Sequence, residues 1–192
     1  MKHGKSIATA ILSIAVSTVG FAQGWTADKA HSKLGFEVTH LMVTDVDGDF
    51  KKFDITVNAT KDDFTDAVVA VTADISSVST DNDFRDNDLK SDHFFDAAKY
   101  PTLNFKSTSI QKVDAKNYKL SGDLTMHGVT KPVVLDVTLN GVGTHPMTKK
   151  PVAGFKIRGT IKRSDFGIGS NTPTAIVSDE VEIIANVEID KG

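Results

Sequence analysis

Within 192 residues the chain sets 22 basic against 25 acidic side chains and has no cysteine. The slightly acidic balance, without a basic stripe or aromatic–basic interleaving, argues against a nucleic-acid partner. The missing thiols rule out disulfides, thiolate nucleophiles and cysteine-bound metals.

Residues 1–22 read as a secretory signal peptide. Lys2 and Lys5 form a positive n-region, and Ile7 to Val19 is apolar and small. Gly20-Phe21-Ala22 puts small residues at the two key positions before a cleavage site at Gln23. The apolar run is shorter than the roughly 20 residues of a spanning helix, and no second run of that length follows. The expected product is therefore exported to the periplasm, makes no stable membrane insertion, and folds as one domain over residues 23–192. A homodimer is left open.

From residue 33 onward the apolar residues alternate, the mark of half-buried strands. Leu34, Phe36 and Val38 form the first such run, and Phe53, Ile55, Val57 and Ala59 the next. Ala67 to Ile75 is apolar or small on both faces. After Pro101 come Leu103 and Phe105, then Tyr118 to Met126, and Val133 to Leu139. Phe155, Ile157 and Ile161 follow a loop at Gly141–Pro151, and Val181 to Ile189 closes the chain. Asp47-Gly48, Asn140-Gly141 and Asp114–Asn117 read as hairpin turns. About eight antiparallel strands with short links predict an all-β, closed barrel or a sandwich. Strands of roughly 10–12 residues would pass 30 Å, tall enough for an elongated apolar molecule.

Residues 85–105 break the alternation. A charged stretch compatible with a helix, Arg85 to Ser91 and expected to be capped by Thr80, gives way to Phe94-Phe95 and then Tyr100-Pro101. The helical segment is expected near residues 82–98. Arg85 is either a contact for a polar head group at a pocket mouth or a partner of Asp86, Asp88 or a strand carboxylate. Phe94 and Phe95 either line an apolar cavity or pack under a loop.

No catalytic or metal template is present. There is no metal-binding histidine pair, and Asp45–Asp49 lacks the calcium-loop spacing. Gly167–Asn171 matches neither a nucleophile elbow nor a nucleotide fingerprint. Arg163 and Asp165 read as a structural ion pair in a turn. No cofactor, metal or catalytic residue is predicted.

Five motifs in order resemble the YceI-like lipid/polyisoprenoid-binding proteins. They are Trp25, Asp28, His31-Ser32, Phe36 and His40; Gly48-Asp49-Phe50 with Phe53; Ser79-Thr80 through Arg85-Asp86, Phe94-Phe95 and Tyr100-Pro101; Gly122 to Lys131; and Arg163 to Ile168. The resemblance implies an extended, eight-stranded antiparallel, lipocalin-like barrel around a long amphiphile such as a polyisoprenoid or an isoprenoid quinone. It also implies a periplasmic, non-catalytic carrier. Asp88 stands where the family commonly has histidine, which disfavours an anionic pyrophosphate head if that side chain meets the ligand.

The expected lining is Phe36, Val38, Phe53, Ile55, Phe94, Phe95, Phe105, Leu124, Phe155 and Ile157, with Arg85 and His31 or His127 at the head group. An enzyme acting on a lipid-like substrate at the barrel mouth, or a packed barrel that binds a partner, are the alternatives.

Overall fold

A computed structural model describes residues 24–192; the signal-peptide reading lies outside them. The chain runs β1 (Gly24–Ala27), β2 (Lys33–His40), β3 (Thr44–Phe50), β4 (Phe53–Asn58), β5 (Val68–Asp74) and β6 (Val78–Ser79). Then come α1 (Asp83–Lys90), β7 (Thr102–Lys112), β8 (Asn117–Met126), β9 (Val129–Thr144), β10 (Pro151–Lys162) and β11 (Val177–Lys191).

Pairing turns these eleven segments into a closed ring of eight lines. β11 pairs with β2 through residues 177–186 and with β1 through residues 189–191, so β1 and β2 are two halves of one interrupted strand. β3 and β4 continue each other in the same way, as do β5 and β6 across a short 3₁₀ turn at Ile75–Ser77. All neighbours are antiparallel, and β1 joins β4 on one side to β11 on the other. Closure leaves no long unpaired edge there and so removes a template for aggregation.

Alternation decides which side chains face inward. Along β8, Tyr118, Leu120, Leu124 and Met126 are buried while Asn117, Lys119 and Asp123 are exposed. β4 does the same with Phe53, Ile55 and Val57. Each such inward apolar side chain contributes about 1.5–3 kcal/mol.

Two expected turns are not turns. Asp47-Gly48 lies inside β3, because the Phe36 ring of the neighbouring strand lies over Gly48 where a side chain would stand. Asn140-Gly141 lies inside β9: Leu139 pairs with Phe155 and Gly141 with Gly154, leaving Asn140 as the extra residue of a bulge. The hairpin itself falls at residues 145–150. At residues 113–116 the turn forms as expected, its Asp114 Oδ1 accepting from the Lys116 and Asn117 N–H groups at 2.9 Å each.

The links sort to the two ends of the barrel. Residues 41–43, 80–101, 127–128 and 163–176 lie at one, the helix end. Residues 59–67, 113–116 and 145–150 lie at the other, with both ends of the described chain.

Candidate functional site

The barrel encloses a cavity of about 390 Å³, within the usual range for small-molecule sites. Its wall is aliphatic and aromatic almost throughout. The ionisable or hydroxyl side chains that line it are His40, Thr80, Arg85, Asp88 and Arg163. All five come from strand tips or links at the helix end.

At the opposite end the 59–67 link folds back into the barrel. Phe64, 2% exposed, packs against Trp25 at 5.4 Å and edge-on to Phe155 at 5.2 Å between ring centroids. Asp63 and Asp66 hold this link. Asp63 accepts from the Thr65 N–H and hydroxyl and from Lys112, which keeps its carboxyl down at about 2. Asp66 accepts from the backbone and hydroxyl of Thr60 and from the Lys61 N–H. The Tyr118 hydroxyl donates to the Asp63 carbonyl at 2.9 Å. Periodicity passed over Phe64 because it sits in a link; its one visible signal is a lone aromatic within Lys61–Asp66.

At the helix end the 80–101 and 163–176 links meet. A Cβ on Gly169 would lie 2.8 Å from Phe94, and Tyr100 packs edge-on against His127 at 4.8 Å. Helix α1 is inverted relative to an ordinary amphipathic helix: Asp86 is buried at 7% exposure, while Phe84 stands 87% exposed. Its cap is Asn82, whose side chain accepts from the Arg85 N–H, and not Thr80. Thr80 instead donates both its N–H and its hydroxyl to Asp86, at 2.7 and 2.6 Å. The helix ends at Lys90, short of the expected span, and residues 91–98 continue as turns.

Two arginines line the cavity here in different states. Arg163 is 5% exposed and donates all five N–H groups to the carbonyls of Ser178, Ile168, Gly169, Thr172 and Val177. It is a clamp for the 163–176 link, not the partner of Asp165 that the local sequence suggested. Arg85 donates Nε to the Thr80 hydroxyl at 2.7 Å and Nη2 to the Thr80 carbonyl at 2.8 Å. Among the described residues its Nη1 has no hydrogen-bond partner and no carboxylate lies in ion-pair range. Asp88 is taken by His93, 3.2 Å away. Of the two roles the sequence left open to Arg85, the pair with a carboxylate is thus absent among the described residues.

Of the residues expected at the site, Phe36, Val38, Ile55, Arg85, Phe94, Phe95, Phe105, Leu124, Phe155 and Ile157 line the cavity together. Three do not. Phe53 faces inward from β4 and belongs to the core, yet does not border the cavity. His31 is outside the barrel, where its Nδ1 lies 2.7 Å from Asp28; that contact lowers the Asp28 pKa and raises that of His31. Asp28, His31 and Glu188 place ligand-type atoms within 4.8 Å of one another, but on the outer surface. His127 has its Nδ1 2.9 Å from the Phe166 carbonyl, joining the 127–128 hairpin to the 163–176 link. His40, at the end of β2, is the histidine that does line the cavity.

Residues 25–189 match the model of the YceI-like domain. The chain belongs to the YceI-like family. A UPF0312 protein of Staphylococcus aureus strain bovine RF122 is 37% identical over 168 residues, 85% of this chain and 95% of that one. The YceI protein of Campylobacter jejuni superposes with a TM-score of 0.73 at 37% identity, covering 86% of this chain and 96% of that structure. BcnA of Burkholderia cenocepacia superposes with a TM-score of 0.75 at 28% identity, covering 84% and 98%. A polyisoprenoid-binding domain from Saccharophagus degradans, at 15% identity and a TM-score of 0.68, shares the YceI-like fold over 88% of this chain and 99% of that domain.

Proposed function

We propose that this protein binds one long-chain amphiphile, of isoprenoid or similar type, and carries it through the periplasm. The observation that carries the reading is the polarity of the cavity: apolar along its length and closed by Phe64 at one end, with all its polar side chains at the other. A tail inside exchanges water for apolar wall at about 25 cal/mol per Å². The free Nη1 edge of Arg85 supplies a donor for an acceptor on the head group, whether carbonyl, hydroxyl, carboxylate or phosphate. The polyisoprenoid-binding neighbour adds support from shape, and the n-region, apolar run and small residues of positions 1–22 support export.

Binding is favoured over catalysis because two of the charged groups at the mouth are committed to partners within the protein. Arg163 has no N–H left to offer, and Asp88 pairs with the exposed His93, which does not line the cavity.

Native mass spectrometry of the protein isolated from the periplasm, followed by organic extraction, tests the reading. A stoichiometric apolar adduct and a mature chain starting at Gln23 are expected. A protein that is ligand-free from its native host and takes up no farnesyl or longer isoprenoid would overturn it.

A further inference from the structure

We propose that the β2–β3 hairpin tip, with Ile176 beside it, docks the protein on a lipid bilayer so that cargo passes directly between membrane and cavity. The proposal rests on the carrier reading and adds where loading occurs. Leu41, Met42 and Val43 form the tip and are 50%, 75% and 81% exposed; Ile176 is 42% exposed. Hairpin tips are ordinarily built from Gly, Asn, Asp or Ser. Here three aliphatic side chains occupy one, and Leu41 and Met42 adopt left-handed backbone with φ of 52° and 59°. The Leu41 N–H donates to the Ile176 carbonyl at 2.9 Å, so Ile176 lies directly beside the tip.

Its position ties it to the cavity. His40 and Val177 are direct partners across β2 and β11, both line the cavity, and they immediately adjoin Leu41 and Ile176 in the chain. An apolar tail leaving the cavity beside them meets aliphatic surface rather than charge.

Its chemistry selects a bilayer over a protein partner. Residues 41–44 and 170–178 contain no ionisable side chain. Just beyond them, Asp45 accepts from the Thr39 hydroxyl and Asp179 from Ser164. The patch itself therefore carries no charged side chain with which to orient a protein. Four side chains on a convex tip also fall short of the roughly 800 Å² per partner that a stable protein interface buries. The boundary between head groups and acyl chains accepts an isolated apolar protrusion about 5–10 Å deep without a matching surface.

The test is co-flotation of the purified protein with vesicles of phosphatidylethanolamine and phosphatidylglycerol at low and high salt. The wild type should float at both. The Met42→Asp/Val43→Asp double variant should partition at least about tenfold more weakly. Met147→Asp, which changes an 83% exposed methionine at the opposite end of the barrel, should behave as wild type. Flotation of the double variant at the wild-type level overturns the proposal. So does wild-type binding that disappears in high salt, which would assign it to charged surface. A wild-type dimer that the double variant dissolves, with no flotation by either, would give the patch to a second copy and likewise overturn it.

Dansyl-farnesol separates this from the carrier reading. Both proteins should bind it equally in solution, but only the wild type should extract it from vesicles at a rate that rises with vesicle concentration. Probe binding by neither protein would sink the carrier reading, while co-flotation still judges the docking surface.

Discussion

At the terminal end of the barrel the cavity stops against an aromatic cluster, with Phe64 between Trp25 and Phe155 and the link that carries it tied down by Asp63 and Asp66. At the helix end it stops under two links that touch through Phe94 and Gly169, around side chains that hold polar groups toward the cavity. The first end is sealed by packing. The second is held by hydrogen bonds and has a spare donor on Arg85. An amphiphile needs this asymmetry, because a tail gains from a dry, closed end and a head group needs acceptor and donor sites near water.

Removing the seal should have the largest effect. Phe64→Ala deletes a nearly fully buried ring and should cost about 3–5 kcal/mol of unfolding free energy, measured by denaturant titration. Trp25 is the single tryptophan of the chain and touches Phe64, so its fluorescence reports this end alone. A loss below about 1 kcal/mol would show that the two ends are sealed alike.

The two arginines sharpen the contrast within the helix end. Arg163→Met leaves several carbonyls without donors and should cost about 2–4 kcal/mol of stability. Arg85→Met should change stability by less than about 1 kcal/mol, yet weaken binding of a carbonyl- or hydroxyl-headed isoprenoid about tenfold or more. Equal stability losses in the two variants would break the distinction between clamp and contact.

Phe94→Ala/Phe95→Ala opens the cap and should speed release of a bound fluorescent isoprenoid several-fold, read by stopped flow into acceptor vesicles. Unchanged release would move the route of exit away from this link.

The smallest effect is one of pH. Asp63 is held at about 2 when folded, below its ordinary value of 3.8, first by Thr65 and then by Lys112. Because the folded value is the lower one, its stabilisation is present above the unfolded pKa and is lost as pH falls from there toward about 2. The Trp25 signal should therefore loosen as pH falls through that window, and Asp63→Asn should reduce this acid sensitivity without abolishing it, because Asp66 in the same link is also held below its ordinary value.

Most of the barrel wall was legible in the sequence, and most of its ends were not. Phe36, Ile55, Phe105 and Leu124 announce an inward face because a strand repeats every two residues. Phe64 follows no period, and its burial depends on the link folding back against Trp25 and Phe155, residues distant in the chain. The sequence placed Arg163 beside Asp165, but the fold offers it five carbonyls of the returning link instead. His31 and His127 carried the right chemistry for a head group and the wrong positions, whereas His40 was at the mouth.

By itself the sequence determined the class of the fold, the faces of its strands and the family, since these are written in local alternation and in motifs that keep their order. Tertiary structure alone decided that Gly48 lies under a ring rather than in a turn, that Phe64 plugs one end, and that Arg85 keeps a free edge while Arg163 has none. Those outcomes depend on which distant groups arrive within about 3–4 Å once the ring of strands closes.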